Sequence, residues 1–394
     1  MPKIFEGIRV LDLSQFISGP WGAIFLGDQG AEVIKVESPG LGEAMRVFVF
    51  YNKQIAPLFA ILNRNKKSVT LDLRKPEGQE VLKELVKVSD VLIENFTPGI
   101  MDRWGIGYDV LKEINPRLIY AAISGYGQTG PLRNRPAFDL VIQATSGVLH
   151  AMGITGPPGI PLGDYSAGHI IAIGISQALY WREKTGNGQF IDLSMQDMMY
   201  AVNIRAQSRE FIDMAKKAGH ENYVTRILPI YNQYPTQDGS RVAIVSLTDK
   251  QFKRLMQIIG RPELLHDRRL NNTVKRMQNV ELLDEVLEAW TTTKDRDEIV
   301  DLLEKQHIPC GPVLNVDEVR SQPQLEARGM YLRHFTFDGV KQATIPGPIL
   351  KFSETPGSVD TKGPALGEHN EEIYESLLGF SAEKVVEMRK KGII

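Results

Sequence analysis

The chain has 394 residues, more than one ordinary hydrophobic core accommodates, so two lobes are expected. Apolar residues make up 42% and charged residues 24%, and the formal net charge of −2 gives no global pull toward nucleic acid or an anionic membrane surface. No apolar run reaches the ~18 residues of a transmembrane span, and MPKIFEGIRV has no secretory core; the single cysteine, Cys310, excludes an intrachain disulfide, so a cytoplasmic protein without membrane or nucleic-acid partners is expected.

Residues 8–13 (IRVLDL) read as a buried strand, followed by a loop from Ser14 to Pro20 and an apolar helix from about Trp21 to Gly30. Residues 32–37, 68–73 (SVTLDL), 91–95 and 118–124 read as further strands, and PEGQEVLKELVKVSD as a helix. Strands alternating with helices predict a parallel sheet covered on both faces, with ligands beyond the carboxyl ends of the strands. From about 205 the texture changes. Residues 209–224 are polar and helical in pattern, 242–247 (VAIVSL) read as a strand, and three helices follow in KQFKRLMQIIG, VELLDEVLEAW and DEIVDLLEKQ. Cys310, between Pro309 and Gly311–Pro312, reads as structural. After about 325, YLRHFTF and VKQATIPG read as strands and SAEKVVEMRKKG as an amphipathic helix. The expected organisation is a large domain over 1–205, a small domain with linkers over 206–325, and a segment over 326–394 that returns to the large domain.

Several chemistries are disfavoured. The first strand is followed by SQFISGP rather than GxGxxG, no GxxxxGK[ST] loop or GxSxG elbow occurs, and no His or Cys pair has metal-ligand spacing, so no metal site is expected. Three places carry two readings each. NRNKKS at 63–68, with Arg74 beyond, is either a solvated loop or a phosphate grip by Arg64, Lys66, Lys67 and Arg74. IENFTPGIMDRWG at 93–105 is either a strand-to-helix turn with a surface arginine, or an aromatic face for an adenine ring with Arg103 for a phosphate. In PLGDYSAGHIIAIGISQALYW, Asp164 precedes a long apolar helix that TGNG at 185–188 ends. Asp164, with Ser166, is either that helix's cap or a covalent nucleophile. In the second reading the helix N-terminus keeps its carboxylate ionised, and Gly163 and Gly168 leave room for a thioester.

From GIRVLDLS through GPWGAIFLGDQGAEVIKVESPG, NRNKKSVTLDLRKPEG, ENFTPGIMDRWG, GYGQTGP, PLGDYSAG, EKTGNGQFIDLSMQD, IPCGPVLNVDEV and LGEHNEEIY, the chain resembles the family III CoA-transferases nearly end to end. That group contains formyl-CoA transferase and carnitine CoA-transferase and, by fold, the α-methylacyl-CoA racemases. The resemblance implies an α/β fold: a Rossmann-like, CoA-binding large domain built from both chain ends, a smaller α+β domain, and an interlocked homodimer. It implies transfer of coenzyme A from an acyl-CoA donor to a free carboxylic acid, with CoA thioesters as substrates and no tightly bound cofactor. The family's nucleophile falls on Asp164, and its CoA-contacting positions on Phe16, Ile17 and Ser18; on Leu71, Asp72, Leu73 and Arg74; on Asn95, Phe96 and Thr97; on Arg103 and Trp104; and on Pro136, Ala137, Phe138 and Asp139.

Formyl-CoA transferase has Gln where this chain has Ile17, Arg at Ser38, and Lys and Tyr at Pro136 and Phe138, and its glycine-rich substrate loop has no counterpart here. These departures detach formate and oxalate from the expectation and point to a larger, less polar acyl group. Racemases carry a His–Asp dipeptide upstream of their acidic residue. Here it reads Phe138–Asp139, and in an extended segment Asp139 is expected to face away from the site that Phe138 lines. His150 and His169 do not occupy that position, and His169 reads as a packing or surface residue on the helix after Asp164. A racemase-like isomerase, a non-catalytic subunit of a hetero-oligomeric transferase, and a CoA thioesterase in which water intercepts the anhydride are the alternatives.

Overall fold

The structure, a computed structural model, describes residues 3–47, 57–207, 213, 228–333 and 344–394. Its centre is a six-stranded sheet of order β3-β2-β1-β4-β5-β6: β1 Arg9–Asp12, β2 Glu32–Glu37, β3 Lys66–Thr70, β4 Val91–Glu94, β5 Ile119–Ser124 and β6 Phe190–Ser194. All five pairings are parallel. Neighbouring residues of β1 point to opposite faces, and both faces are buried. Leu11 joins Ile34, Leu82, Leu85 and the C-terminal Tyr374, Val385 and Ile393 on one side. Val10 joins Val33, Ile93, Ala23, Ile171 and Ile175 on the other.

The helices of this part include α1 Ser18–Gly27, α2 Pro57–Leu62, α3 Pro76–Lys87, α4 Ile100–Arg103, α5 Tyr108–Ile114, α6 Asp139–Thr145, α7 Val148–Ala151 and α8 Leu162–Thr185. α3 has Pro76 at its start, where the missing N–H costs nothing, and turns Val81, Leu82, Leu85 and Val86 onto the sheet. α8 ends at Gly186, whose φ of +80° stops it at the TGNG turn. α1 and α8 approach backbone to backbone, because a Cβ on Gly168 would lie 2.8 Å from the Ser18 carbonyl oxygen.

Around the central sheet, three elements differ from expectation. The third strand starts at Lys66 and ends at Thr70, displaced from 68–73, because Lys66 is buried within the sheet. The first helix begins at Ser18 rather than Trp21. The short edge strand β6, with Asp192 exposed in its middle, was not anticipated as a strand.

The residues cluster into two compact units. Met1–His150, Ile154–Asn203 and Gln324–Ile394 make the larger, which also carries the two-stranded β10 Tyr331–Leu332 and β11 Ile345–Pro346 and the helix Ala382–Lys390. Its C-terminus is tied to the sheet: Asp72 N–H donates to the Ile393 carbonyl at 2.8 Å, and Tyr374 O–H to that of Thr70 at 2.7 Å. Ala151–Gly153 and Ile204–Pro323 make the smaller. It holds the antiparallel sheet β7 Ile230–Pro235, β8 Arg241–Ser246 and β9 Cys310–Pro312. The helices Asp249–Ile258, Val280–Thr291 and Arg296–Glu304 pack Leu255, Leu283, Leu287, Ile299 and Leu303 into its core. Cys310 sits in that sheet, and burial pushes its thiol up to about 11, which suits a packing role. The helix expected over 209–224 and the strand positions 334–343 lie outside the described residues, apart from residue 213. Among the described residues no helix is long and apolar enough to cross a membrane.

Candidate active site

β1 leads outward to β2 on one side of the sheet, and β4 leads to β5 on the other, so the strand order reverses between β1 and β4. The loops leaving their carboxyl ends part there and open a crevice, where open α/β sheets bind ligands. The Asn95 side chain clamps the loop after β1: its Nδ2 donates to the Gln15 carbonyl at 2.8 Å and to Ser18 Oγ at 3.1 Å, and its Oδ1 accepts Gln15 N–H at 2.8 Å. Phe16 has a φ of +61°, uncommon for a non-glycine residue, and Glu43 Oε2 accepts its N–H at 3.0 Å. Beneath the loop, Asp12 Oδ2 pairs with Lys66 at 2.7 Å and Lys35 at 3.6 Å, and Asp12 Oδ1 accepts the Ser14 hydroxyl. Burial alone would raise the Asp12 carboxyl; the two ammonium groups more than offset it and hold it low.

Asp164 is not the cap of α8. The cap position is Pro161, Asp164 is the third helical residue, and the cap-like acceptor comes from α6: Asp139 Oδ1 accepts N–H of Gly163 at 2.7 Å and of Asp164 at 3.2 Å. Asp139 therefore faces Asp164, contrary to the alternation argument, because the chain turns helical at residue 139 and the two-residue period of a strand no longer applies. Burial pushes the Asp164 carboxyl up to about 7, the negative charge of Asp139 adds to the rise, and a hydrogen bond with Ser18 opposes it. The sequence-based expectation of a carboxylate kept ionised by the helix N-terminus meets an opposing effect here: desolvation and the Asp139 charge both favour the protonated form. Gly163 and Gly168 serve close packing rather than thioester access: a Cβ on Gly163 would stand 2.9 Å from Asp139 Oδ1, and Gly168 lets α8 close on α1 at Ser18. His169 has a packing role as expected, its Nε2 accepting Trp21 Nε1–H at 3.3 Å.

Leu71, Asp72, Leu73, Arg74, Phe96 and Trp104 come together around Gln15 in a cleft of about 190 Å³. Leu71 and Leu73 give it apolar walls, and the Phe96 and Trp104 rings meet edge to face at 5.7 Å. Phe96 N–H donates to Glu94 at 2.7 Å, and burial pushes that carboxyl up to about 8. The Arg74 side chain is 69% exposed and reaches Asp72 at 2.8 Å. Arg103, ending α4, is exposed, and Thr97 lines the adjoining cleft with Glu94 and Asp102. Ile17 precedes α1, Ala137 packs into the core beside α8, and Pro136 is exposed. The Phe138 ring, exposed, meets Phe16 edge to face at 5.7 Å.

The phosphate-grip reading of NRNKKS is corrected. Arg64 is buried and paired with Asp28 at 2.7 Å, Lys66 is buried on Asp12, and Lys67 bridges Glu32 and Glu372 at 2.7 and 2.6 Å. Of that set, Arg74 alone lines the cleft. Sequence reasoning missed the Ser18 hydroxyl on Asp164, the Gln15 and Glu43 contacts, and the buried Lys35. The lysine inside the apolar strand EVIKVE was the available signal, since lysine is almost never fully buried without a partner. Among the described residues no three or more His, Cys, Asp or Glu side chains are grouped to hold a metal ion.

The sequence model of the family described as CoA-transferase family III matches residues 5–370. The β subunit of succinyl-CoA–L-malate CoA-transferase from Chloroflexus aurantiacus is 36% identical, covering 98% of this chain and 97% of its own length. Acetyl-CoA:oxalate CoA-transferase from Acetobacter aceti is 38% identical, covering 92% of this chain and 94% of its own. A solved CAIB/BAIF family protein from Brucella suis superposes with a TM-score of 0.78 at 32% identity, covering 96% of this chain and all of its own. With its parallel six-stranded sheet and its likeness to these proteins along nearly its whole length, the chain belongs to CoA-transferase family III.

Proposed function

We propose that Asp164 is the covalent nucleophile by which this CoA-transferase moves coenzyme A from an acyl-CoA donor to a carboxylic acid. The observation that carries the reading is where the Asp164 carboxyl lies: half-buried in the first turn of α8, joined to Ser18 at the start of α1 beside the strand-order reversal and facing Asp139, with desolvation and that second carboxylate pushing it up to about 7. The Asp164 carboxylate attacks the donor thioester carbonyl, the C–S bond breaks, and a mixed anhydride and CoA thiolate result. The thiolate attacks the Asp164 carbonyl, releasing the donor acid and leaving an aspartyl-CoA thioester. The acceptor carboxylate attacks that thioester, forming a second anhydride and freeing the thiolate again. The thiolate takes the acceptor acyl group, and Asp164 leaves as carboxylate. The first main-chain N–H groups of α1, near Ile17 and Ser18, lack intrahelical partners and suit the oxyanion of each tetrahedral intermediate.

The larger unit is read as the CoA-binding part. Phe96 and Trp104 supply an aromatic wall for the adenine, and Arg74 and Arg103 meet the phosphates. The Asn95 side chain is occupied by Gln15 and Ser18, so its role toward CoA is to hold the loop. CoA thioesters are substrates in this reading, with no resident cofactor, and the assembly is an interlocked homodimer acting in the cytoplasm. Because relatives from Chloroflexus aurantiacus are named as α and β subunits, a heteromeric transferase is the second reading; activity of the purified chain alone separates the two. The relatives named for succinyl-CoA with malate or citramalate make these the first donor and acceptors to try, beside less polar acyl-CoAs.

The test replaces Asp164 with Ala and follows the thioester pool by mass spectrometry. Transfer is expected to fall by at least about 10⁴-fold, the scale of losing a nucleophile, while CoA binding persists. In wild-type protein, hydroxylamine added during turnover should convert Asp164 to its hydroxamate. A folded Asp164→Ala protein that still transfers CoA overturns the mechanism.

A further inference from the structure

The first turn of α8 is held from outside the helix. Pro161, at its cap position, offers no side-chain acceptor. Asp139, the first residue of α6, supplies it through Oδ1 on the Gly163 and Asp164 N–H groups, two donors without intrahelical partners. Its other oxygen, Oδ2, accepts Gln143 Nε2–H at 2.6 Å, and Gln143, 1% exposed, donates also to the Ile160 carbonyl at 3.2 Å. Asp139 is thereby pinned from both sides, and a side chain at Gly163 would collide with it. A cap from within α8, such as serine at 161, would satisfy the same N–H groups without bringing a second carboxylate to the nucleophile.

Resting on Asp164 as nucleophile, we infer that Asp139 is a positioning residue of the transfer reaction: it fixes the main chain that carries Asp164 and holds a second negative charge beside that carboxyl. The groups facing the Asp164 carboxyl are Asp139 from α6, the Ser18 hydroxyl from α1, and on its own helix the Tyr165 phenol, itself raised by burial and by Asp164. With a like charge beside it, Asp164 ionises at higher pH and is the more basic carboxylate once ionised. Transfer then rises with pH as Asp164 loses its proton, and Asp139 sets where that rise falls.

The test compares Asp139→Asn and Asp139→Ala with wild type, measuring kcat, KM for acyl-CoA and the pH profile, and trapping Asp164 with hydroxylamine in each. Asn keeps an oxygen to accept the Gly163 and Asp164 N–H groups and removes the charge, so the acid limb should move down by about one pH unit, with a loss of kcat smaller than in Asp139→Ala. Ala removes both, and kcat should fall about 10²-fold with KM little changed, as misplacement of a reacting group does. An unmoved acid limb in Asp139→Asn overturns the inference, and so does a rise in KM alone, which would make Asp139 only a ligand contact. Should Asp139→Ala not fold, the Asn profile decides. Absence of the Asp164 hydroxamate in wild type refutes the nucleophile itself; its presence with an unmoved limb refutes only the role of Asp139.

Discussion

Asp12, fully buried, and Asp164, half-buried, are aspartates at the same end of the sheet, and they differ in what surrounds them. Asp12 lies under the loop after β1 with two ammonium groups against it, and its carboxyl is held low. Asp164 lies above that loop with a hydroxyl and a second carboxylate for company, and its carboxyl is pushed up to about 7. The first is a charge the fold has compensated, so its role is to hold the loop. The second is a charge the fold leaves costly, and such uncompensated groups are where chemistry is found. The same division separates Arg64 and Lys66, spent on buried acids, from Arg74 and Arg103 at the rim.

The comparison breaks most sharply at Asp12. Asp12→Ala would leave Lys35 and Lys66 buried without their partner, and unfolding by urea should show a loss of about 3–5 kcal/mol. Because its folded pKa is lowered, the stability from Asp12 is present above the ordinary carboxylate range and lost as pH falls through the lowered value. The variant should therefore lose less stability on acidification than wild type does. A variant as stable as wild type would show that the pairing under the loop is not what holds it.

Asp164 predicts the opposite sign. Its folded pKa, about 7, lies above the ordinary aspartate value of 3.8, so the folded chain binds more protons than the unfolded one between those values. Wild type accordingly loses stability from this group as pH rises through that window. Asp164→Asn should be the more stable protein, with an advantage that grows between pH 5 and pH 8 by on the order of 2 kcal/mol. Melting temperatures of both proteins across that range check it. An advantage independent of pH would mean the carboxyl is not strained.

At the rim the effect is smaller and kinetic. Arg74→Ala and Arg103→Ala should each raise KM for acyl-CoA about tenfold, with kcat within about twofold, as uniform binding contacts do. Stability should change by less than about 0.5 kcal/mol, since both arginine side chains are exposed. Unchanged KM in both would return the pair to an ordinary charged surface.

The alternating pattern made five of the six central strands legible in the sequence, because a strand buried on both faces reads as a short apolar run. The use of the charges was not legible. NRNKKS looks solvated because three cations crowd six residues, yet their partners Asp28, Asp12 and Glu32 come from distant segments that the sheet folds against them. Asp164 stands out by resemblance; on physical grounds alone the sequence favours a helix cap there, and the structure gives that task to Asp139. The error over Asp139 came at an element boundary, where Phe138 is the last extended residue and the period changes in one step.

That boundary also decides between transfer and racemisation, where the smallest effect is expected. Racemisation at the α-carbon of an acyl-CoA needs an acid and a base on opposite faces. Asp164 could serve one face. Phe138 has no proton to move, and its ring lies against Phe16. Asp139 does stand beside Asp164, but one of its oxygens accepts two main-chain N–H groups and the other accepts Gln143. Like Asp12, it is an acid already spent on the fold, and freeing it would undo the first turn of α8. A 2-methylacyl-CoA incubated with the protein and a free acid in heavy water should thus take up no deuterium at the α-carbon, while new acyl-CoA appears in the same pool. Mass spectrometry of the thioesters reads both at once. Deuterium uptake without acyl exchange would show that Asp139 can leave its N–H partners during turnover, and would make this family member an isomerase.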